Sequence, residues 1–197
     1  MLEASEWLLL STTTGKADAL RVFVWRHLRK LGAIYVGQSV CLLPNRPDVV
    51  EAVQRTAERV RAEGGSMRIL TVQLSDPADE ESLREQQRAD RDIEYAEVLD
   101  RVPAFLTEIE TETKQGRATY TEVEESEADL ERFDRWMASI YARDYFNAVG
   151  RAAALAALDQ CRQALAAFEA AAIAADTTET EAIRSANNSQ IPAAEDP

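Results

Sequence analysis

Four cations stand within ten residues: Arg21, Arg26, Arg29 and Lys30, with Trp25 among them and Lys16 shortly before. Guanidinium and ammonium groups are the side chains that hold phosphate oxygens. On a helical wheel with Leu20 at zero, Trp25, Arg29, Val22 and Arg26 fall between about 140° and about 240°, at about 100° per residue. That is the side opposite the apolar positions Leu20, Phe23, Val24, Leu28 and Leu31. An aromatic and a β-branched residue are unexpected on a purely solvated face. Either Val22 and Trp25 pack on another part of the chain or on a partner, or the face is an exposed basic-aromatic surface that touches phosphate.

Other motifs carry less. Thr13-Thr14-Gly15-Lys16-Ala17 resembles a fragment of a phosphate-binding P-loop. However, Leu10 stands where its first glycine belongs, and Ala17 replaces the magnesium-binding hydroxyl. An ordinary strand-to-helix turn accounts for it. His27 is the only histidine, so a Ser-His-Asp or Cys-His arrangement would have to run through it, and no nucleophile signature accompanies it. One histidine with two distant cysteines, Cys41 and Cys161, makes no usual zinc site. Glu122, Glu124, Glu125, Glu127, Asp129 and Glu131 read as a solvated helix face rather than a cation site. No catalytic residue, metal site or cofactor is expected, and the chain reads as no enzyme.

The elements that position these residues follow from composition and period. The chain has 197 residues, enough for a substantial core, and 46% of them are hydrophobic, which excludes global disorder. Its net charge of −13 excludes a uniformly basic nucleic-acid binder. The charge is segregated: residues 1–75 hold ten basic and seven acidic residues, a balance of +3, which leaves −16 for the rest. Six of the seven glycines lie before residue 117, and alanine dominates 152–175, so the chain divides near Ser75–Asp76. No apolar run is long enough to span a membrane. The N-terminus lacks a secretory pattern, and the cysteines read as reduced thiols of a cytoplasmic protein.

The first region, 1–75, reads as strand, helix, strand, strand, helix, strand. Trp7–Thr12 is an apolar run suited to a buried strand. Residues 17–31 have helical period, with Gly32 at the C-cap. A tight hairpin is expected around Gly37-Gln38-Ser39. Asn45 and Pro47 start the next helix, Gly64-Gly65 ends it, and Met67–Leu74 is the last strand. The order βαββαβ is the ferredoxin-like motif, so the expected class is α+β.

The second region, 76–175, reads as a bundle of long helices. The first opens at Asp76-Pro77, turns apolar after Ile93 (Ala96, Leu99, Val102, Leu106, Ile109) and is expected to kink or break at Pro103. Ala118–Val123 reads as a short extended piece. Val123, Leu130, Phe133, Met137 and Ile140 mark a second seam, and Asp144–Gly150 a connector. Leu155, Leu158, Arg162, Leu165, Phe168 and Ala172 mark a third. Residues 176–197 are polar and aperiodic and are expected to be a disordered tail.

Three stretches of the first region carry a resemblance: Trp7–Leu10, Arg21–Ala33 (RVFVWRHLRKLGA) and Gln38–Pro44 (QSVCLLP). They resemble the N-terminal domain of the ChrB family, whose members accompany chromate-resistance loci and are described as chromate-responsive transcriptional regulators. Arg91–Glu97 and Glu122–Phe146 resemble the helical part of the same domain, so the likeness covers roughly 5–175. It implies DNA binding through Lys16, Arg21, Arg26, Arg29 and Lys30, chromate or another oxyanion as effector, and a homodimer, since a net +3 surface is weak alone. Many members continue into a second domain, whereas this sequence ends in a polar tail, so whatever that domain contributes to sensing or DNA binding is not expected here. The first region also resembles the ferredoxin-like module of PaaX-type repressors and of small CRISPR-associated nucleases. Those nucleases carry an acidic residue where Ser11-Thr12-Thr13 stand, which argues against nucleic-acid cleavage. No winged helix precedes Trp7, so PaaX-like reading of DNA is not expected. The alternative is a non-catalytic interaction module that binds no nucleic acid, with the Val22 and Trp25 face covered by its partner.

Overall fold

The computed structural model describes residues 6–15 and 17–188. Their elements run β1 (Trp7–Thr13), α1 (Asp18–Lys30), β2 (Ile34–Gly37), β3 (Val40–Pro44), α2 (Pro47–Ala62), β4 (Ser66–Val72), α3 (Pro77–Lys114), α4 (Tyr120–Tyr141) and α5 (Gly150–Asn188). The architecture is α+β, with the expected βαββαβ order followed by long helices. Two compact units result: one from the chain up to Ile93 together with Ser139–Val149, the other from Glu94–Ala138 together with the chain from Gly150 on.

In the first unit the four strands form one antiparallel sheet in the order β2-β3-β1-β4. Strand side chains alternate between faces. Leu8 and Leu10 of β1, Cys41 and Leu43 of β3 and Met67 of β4 therefore share one face. Leu20, Val24 and Leu28 of α1 and Val49, Val53, Ala57 and Val60 of α2 cover it. The opposite face carries Trp7, Ile34 and Leu42, packed with Phe146, Leu74 and Leu83.

Both helices of this layer end in the same backbone motif. At α1, Ala33 N–H donates to the Leu28 carbonyl and Gly32 N–H to that of Arg29, with Gly32 at φ +76. At α2, Gly65 N–H donates to Val60 and Gly64 N–H to Arg61. Two hydrogen bonds of this kind close a Schellman cap, which needs a left-handed residue. The carbonyls of the α1 cap are taken up in turn: Gln87 Nε2 donates to Gly32 O, and Tyr145 Oη donates to Leu31 O at 2.8 Å.

The helical region corrects several expectations. Its first helix runs unbroken through Pro103. Proline forfeits one helical N–H and crowds the preceding turn, but the neighbouring Val102 and Phe105 are both buried, and Thr107 Oγ1 donates to the Pro103 carbonyl at 2.8 Å. Its buried residues are Tyr95, Val98, Val102, Phe105 and Ile109, so Ala96, Leu99 and Leu106 lie off the seam. Nearer its start the buried face is polar, with Glu80, Gln87 and Arg91 at 8%, 1% and 6% exposure.

No extended piece forms at Ala118–Val123. Thr119 instead caps α4, accepting at Oγ1 from Glu122 N–H at 3.4 Å and at its carbonyl from Val123 N–H at 3.0 Å. The seam of α5 is Ala154, Leu158, Cys161, Leu165, Phe168 and Ala172. Leu155 is largely exposed and Arg162 lies outside the seam, paired with Asp134 and Asp159 at 2.5 Å each. The same helix continues to Asn188, past residue 176. Thr177 and Thr178 Oγ1 donate to the carbonyls of Ile173 and Ala174, which keeps their polar groups within the helix. The tail residues 189–197 lie outside the described residues.

Candidate nucleic-acid interface

Helix α1 presents its cations because its apolar positions are used up by the sheet. With Leu20, Val24 and Leu28 turned inward, Arg21, Arg26, Arg29 and Lys30 emerge on the solvent side, all exposed. Trp25 and Val22 are exposed too, at 48% and 44%. Lys16, the fifth candidate, lies outside the described residues.

Several basic side chains of this acidic protein are paired with a carboxylate three or four residues away. Arg21 pairs with Asp18, Arg55 with Glu51, Arg59 with Glu63, Lys114 with Glu110 and Arg135 with Glu131. Among the described residues, Arg26, Arg29 and Lys30 make no ion pair. Arg29 instead lays its guanidinium 5.4 Å from the centre of the Trp25 ring, a cation–π contact that leaves its charge available.

The candidates do not form a single patch. Arg21, Val22 and Trp25 border a cleft of about 510 Å³ between the β1–α1 turn and the β2–β3 hairpin. Its other side offers hydroxyls from Thr12, Thr13, Thr14, Tyr35 and Ser39. Arg26 and Lys30 lie on the opposite flank of α1 and border a shallower hollow of about 580 Å³ with Phe23 and His27. The sequence reading missed a cation that α2 brings to Phe23: Arg59 places its guanidinium 3.7 Å from that ring's centre. A basic residue one turn from another on α2 (Arg55, Arg59) is the signal that was present, but only the sheet topology brings it beside α1.

The electrostatics of the cleft and the hollow differ. Burial, then the positive charges of Lys30, Arg55 and Arg59, hold the His27 imidazole below its ordinary pKa. Beneath the cleft, burial pushes the Cys41 thiol up to about 12, and Tyr35, its partner across β2–β3, is likewise raised to about 12. Cys161 is buried as well, with its thiol pushed upward by that burial. Burial therefore disfavours the thiolate at both positions. Among the described residues, no group of three or more His, Cys, Asp or Glu side chains is placed to hold a metal ion, and no helix is long and apolar enough to cross a membrane.

The fold and this surface define an α+β protein whose first helix carries a free basic-aromatic face. Residues 21–179 match the family model described as Protein ChrB, N-terminal, and the chain belongs to that family. It is 30% identical over 122 residues to Protein ChrB of Cupriavidus metallidurans, a stretch covering 61% of this chain and 34% of that protein. The match therefore spans about a third of the length of that relative. No solved structure matches the chain.

Proposed function

We propose that this chain is a non-enzymatic regulator linked to chromate resistance, and that it contacts DNA phosphates through α1. Family membership supports the first half of that reading. The observation that carries the second is that Arg26, Arg29 and Lys30 stand exposed and without ion pairs among the described residues, in a chain of net charge −13. Arg21, on the cleft side of α1, and Lys16, which lies outside the described residues, complete the contacts of this reading. A homodimer doubles the contact, since so few cations hold DNA weakly. The effector in this reading is chromate or another oxyanion, and the hydroxyl-lined cleft beside Arg21 and Trp25 is the place in the first unit suited to receive it.

The test is a titration of promoter-region DNA at several salt concentrations, with and without chromate. With roughly four phosphate contacts per protomer, the slope of log affinity against log salt is about −3.6 per protomer. Replacing both Arg26 and Arg29 with Ala lowers affinity and flattens the slope while leaving the protein folded. A folded protein that binds no DNA at low salt overturns this reading. It then leaves the interaction-module alternative, which the exposure of Val22 and Trp25 favours.

A further inference from the structure

The hollow on the flank of α1 brings an imidazole, His27, beside two cations, Arg26 and Lys30. His27 stacks on Phe23, with ring centres 5.6 Å apart and planes inclined by 24°. Arg59 lies over the same Phe23 ring, so one aromatic plate positions both groups. Arg26 and Lys30 border the hollow from α1, and so does Asp18, whose carboxylate is paired with Arg21 at 2.6 Å. Arg55 and Arg59 act on the imidazole from α2, and their carboxylate partners are Glu51 on that helix and Glu63 at its C-cap. After burial, the charges that oppose protonation of His27 are those of Lys30, Arg55 and Arg59.

A neutral imidazole offers one N–H donor and one acceptor nitrogen, while its protonated form offers two donors. The surrounding cations oppose protonation only while the hollow holds no anion. A phosphate oxygen in the hollow compensates Lys30, Arg55 and Arg59 and accepts a hydrogen bond from the ring, and both effects favour the charged form. We propose that His27, Arg26 and Lys30, with Arg59 held beside them on Phe23, form a seat for one phosphate group, and that the imidazole takes up a proton from solvent as the phosphate enters. This deepens the DNA reading above by naming a phosphate contact whose strength depends on pH. The shared chemistry is a phosphate, carried by a nucleic-acid backbone or free in solution.

Because His27 is the only histidine, its imidazole resonance is unambiguous. The experiment follows that resonance by NMR from pH 5 to 8 for the full chain alone, with a short duplex DNA at low salt, and with inorganic phosphate. The expected result is an upward move of the His27 midpoint with DNA by about one pH unit, equivalent to about a tenfold gain in affinity as pH falls through that range. His27→Gln, checked for folding by circular dichroism, abolishes the pH dependence of DNA affinity. Lys30→Ala raises the midpoint of the free protein. DNA that binds without moving His27 overturns the seat and leaves the DNA reading standing. A midpoint moved by inorganic phosphate in a protein that binds no DNA supports the seat and overturns the DNA reading. A midpoint that neither ligand moves overturns the seat.

Discussion

Gln87 Nε2 donates to the carbonyl oxygen of Gly32, tying the start of α3 to the end of α1 across 55 positions of sequence. Arg91 lies behind this contact, with its Nη1 3.5 Å from Gln87 Oε1. The carbonyl of the adjacent Leu31 is held by Tyr145. The end of the helix that carries the basic face is therefore fixed by side chains from two other segments.

Gln87→Leu leaves the buried Gly32 carbonyl without that donor and is expected to cost about 1–3 kcal/mol. Tyr145→Phe removes one hydrogen bond at a less buried position and is expected to cost about 0.5–1.5 kcal/mol. Urea denaturation midpoints at constant slope check both, and a neutral Gln87→Leu refutes the anchoring role.

The two sides of α1 separate by stability. Leu28 is 1% exposed in the sheet-facing core, and Leu28→Ala is expected to cost about 2–5 kcal/mol. Trp25→Ala is expected to cost less than about 1 kcal/mol, since the indole is half exposed. Equal losses in denaturant would show that the Trp25 face is covered in solution.

Glycine replacements are expected to differ by position. A Cβ at Gly65 would lie 2.8 Å from the Thr13 carbonyl oxygen and 2.9 Å from Val60 Cγ1, whereas one at Gly116 meets nothing within 4 Å. Gly65→Ala is expected to destabilise by about 1–3 kcal/mol. Gly116→Ala meets only the strain of φ +66, of order 1 kcal/mol. Thermal melts of the two variants rank them.

Alkaline pH is expected to loosen the first unit. Burial raises Cys41 from 9.0 to about 12, and Tyr35 and Tyr145 from 10.0 to about 12. In the unfolded chain these groups ionise at their ordinary values, so it releases protons first. The stability they contribute is complete below about pH 9 and is lost as pH rises toward about 12. Denaturant midpoints between pH 7 and 11 fall accordingly, and Tyr145→Phe shows a shallower fall.

The parts of the fold legible in the sequence are those where burial and hydrophobicity coincide. Trp7–Leu10, the inward phase of Leu20, Val24 and Leu28, the glycine after α1 and the hairpin at Gln38-Ser39 all obey that rule. The start of α3 does not, because Glu80, Gln87 and Arg91 are buried with polar partners, Arg84, the Gly32 carbonyl and Gln87, and an apolar period cannot register them. In α5 the abundant small alanines carry no strong phase. Leu155 and Arg162 then suggest a seam that Ala154 and Cys161 in fact occupy. The Thr119-x-x-Glu122 pattern was readable as a helix start, but the β-branched residues around it compete with that signal. For the basic face, the cations of α1 were visible in the sequence. Their division into a cleft side with Arg21 and a hollow side with Arg26 and Lys30 depends on where β2, β3 and α2 lie.

Tyr95, Val98, Val102, Phe105 and Ile109 on α3, and Ala154, Leu158, Cys161, Leu165, Phe168 and Ala172 on α5, recur in alternating steps of three and four. A repeat of seven residues over two turns fixes how such a unit is able to change length. Removing one residue near Asp159 would turn everything beyond it by about 100° and bring alanines and charges into the interior. Removing seven would restore the phase. Insertions and deletions in natural relatives of this unit are therefore expected to fall in whole heptads within the helices, with irregular lengths confined to the turns at Gln115–Thr119 and Ala142–Val149.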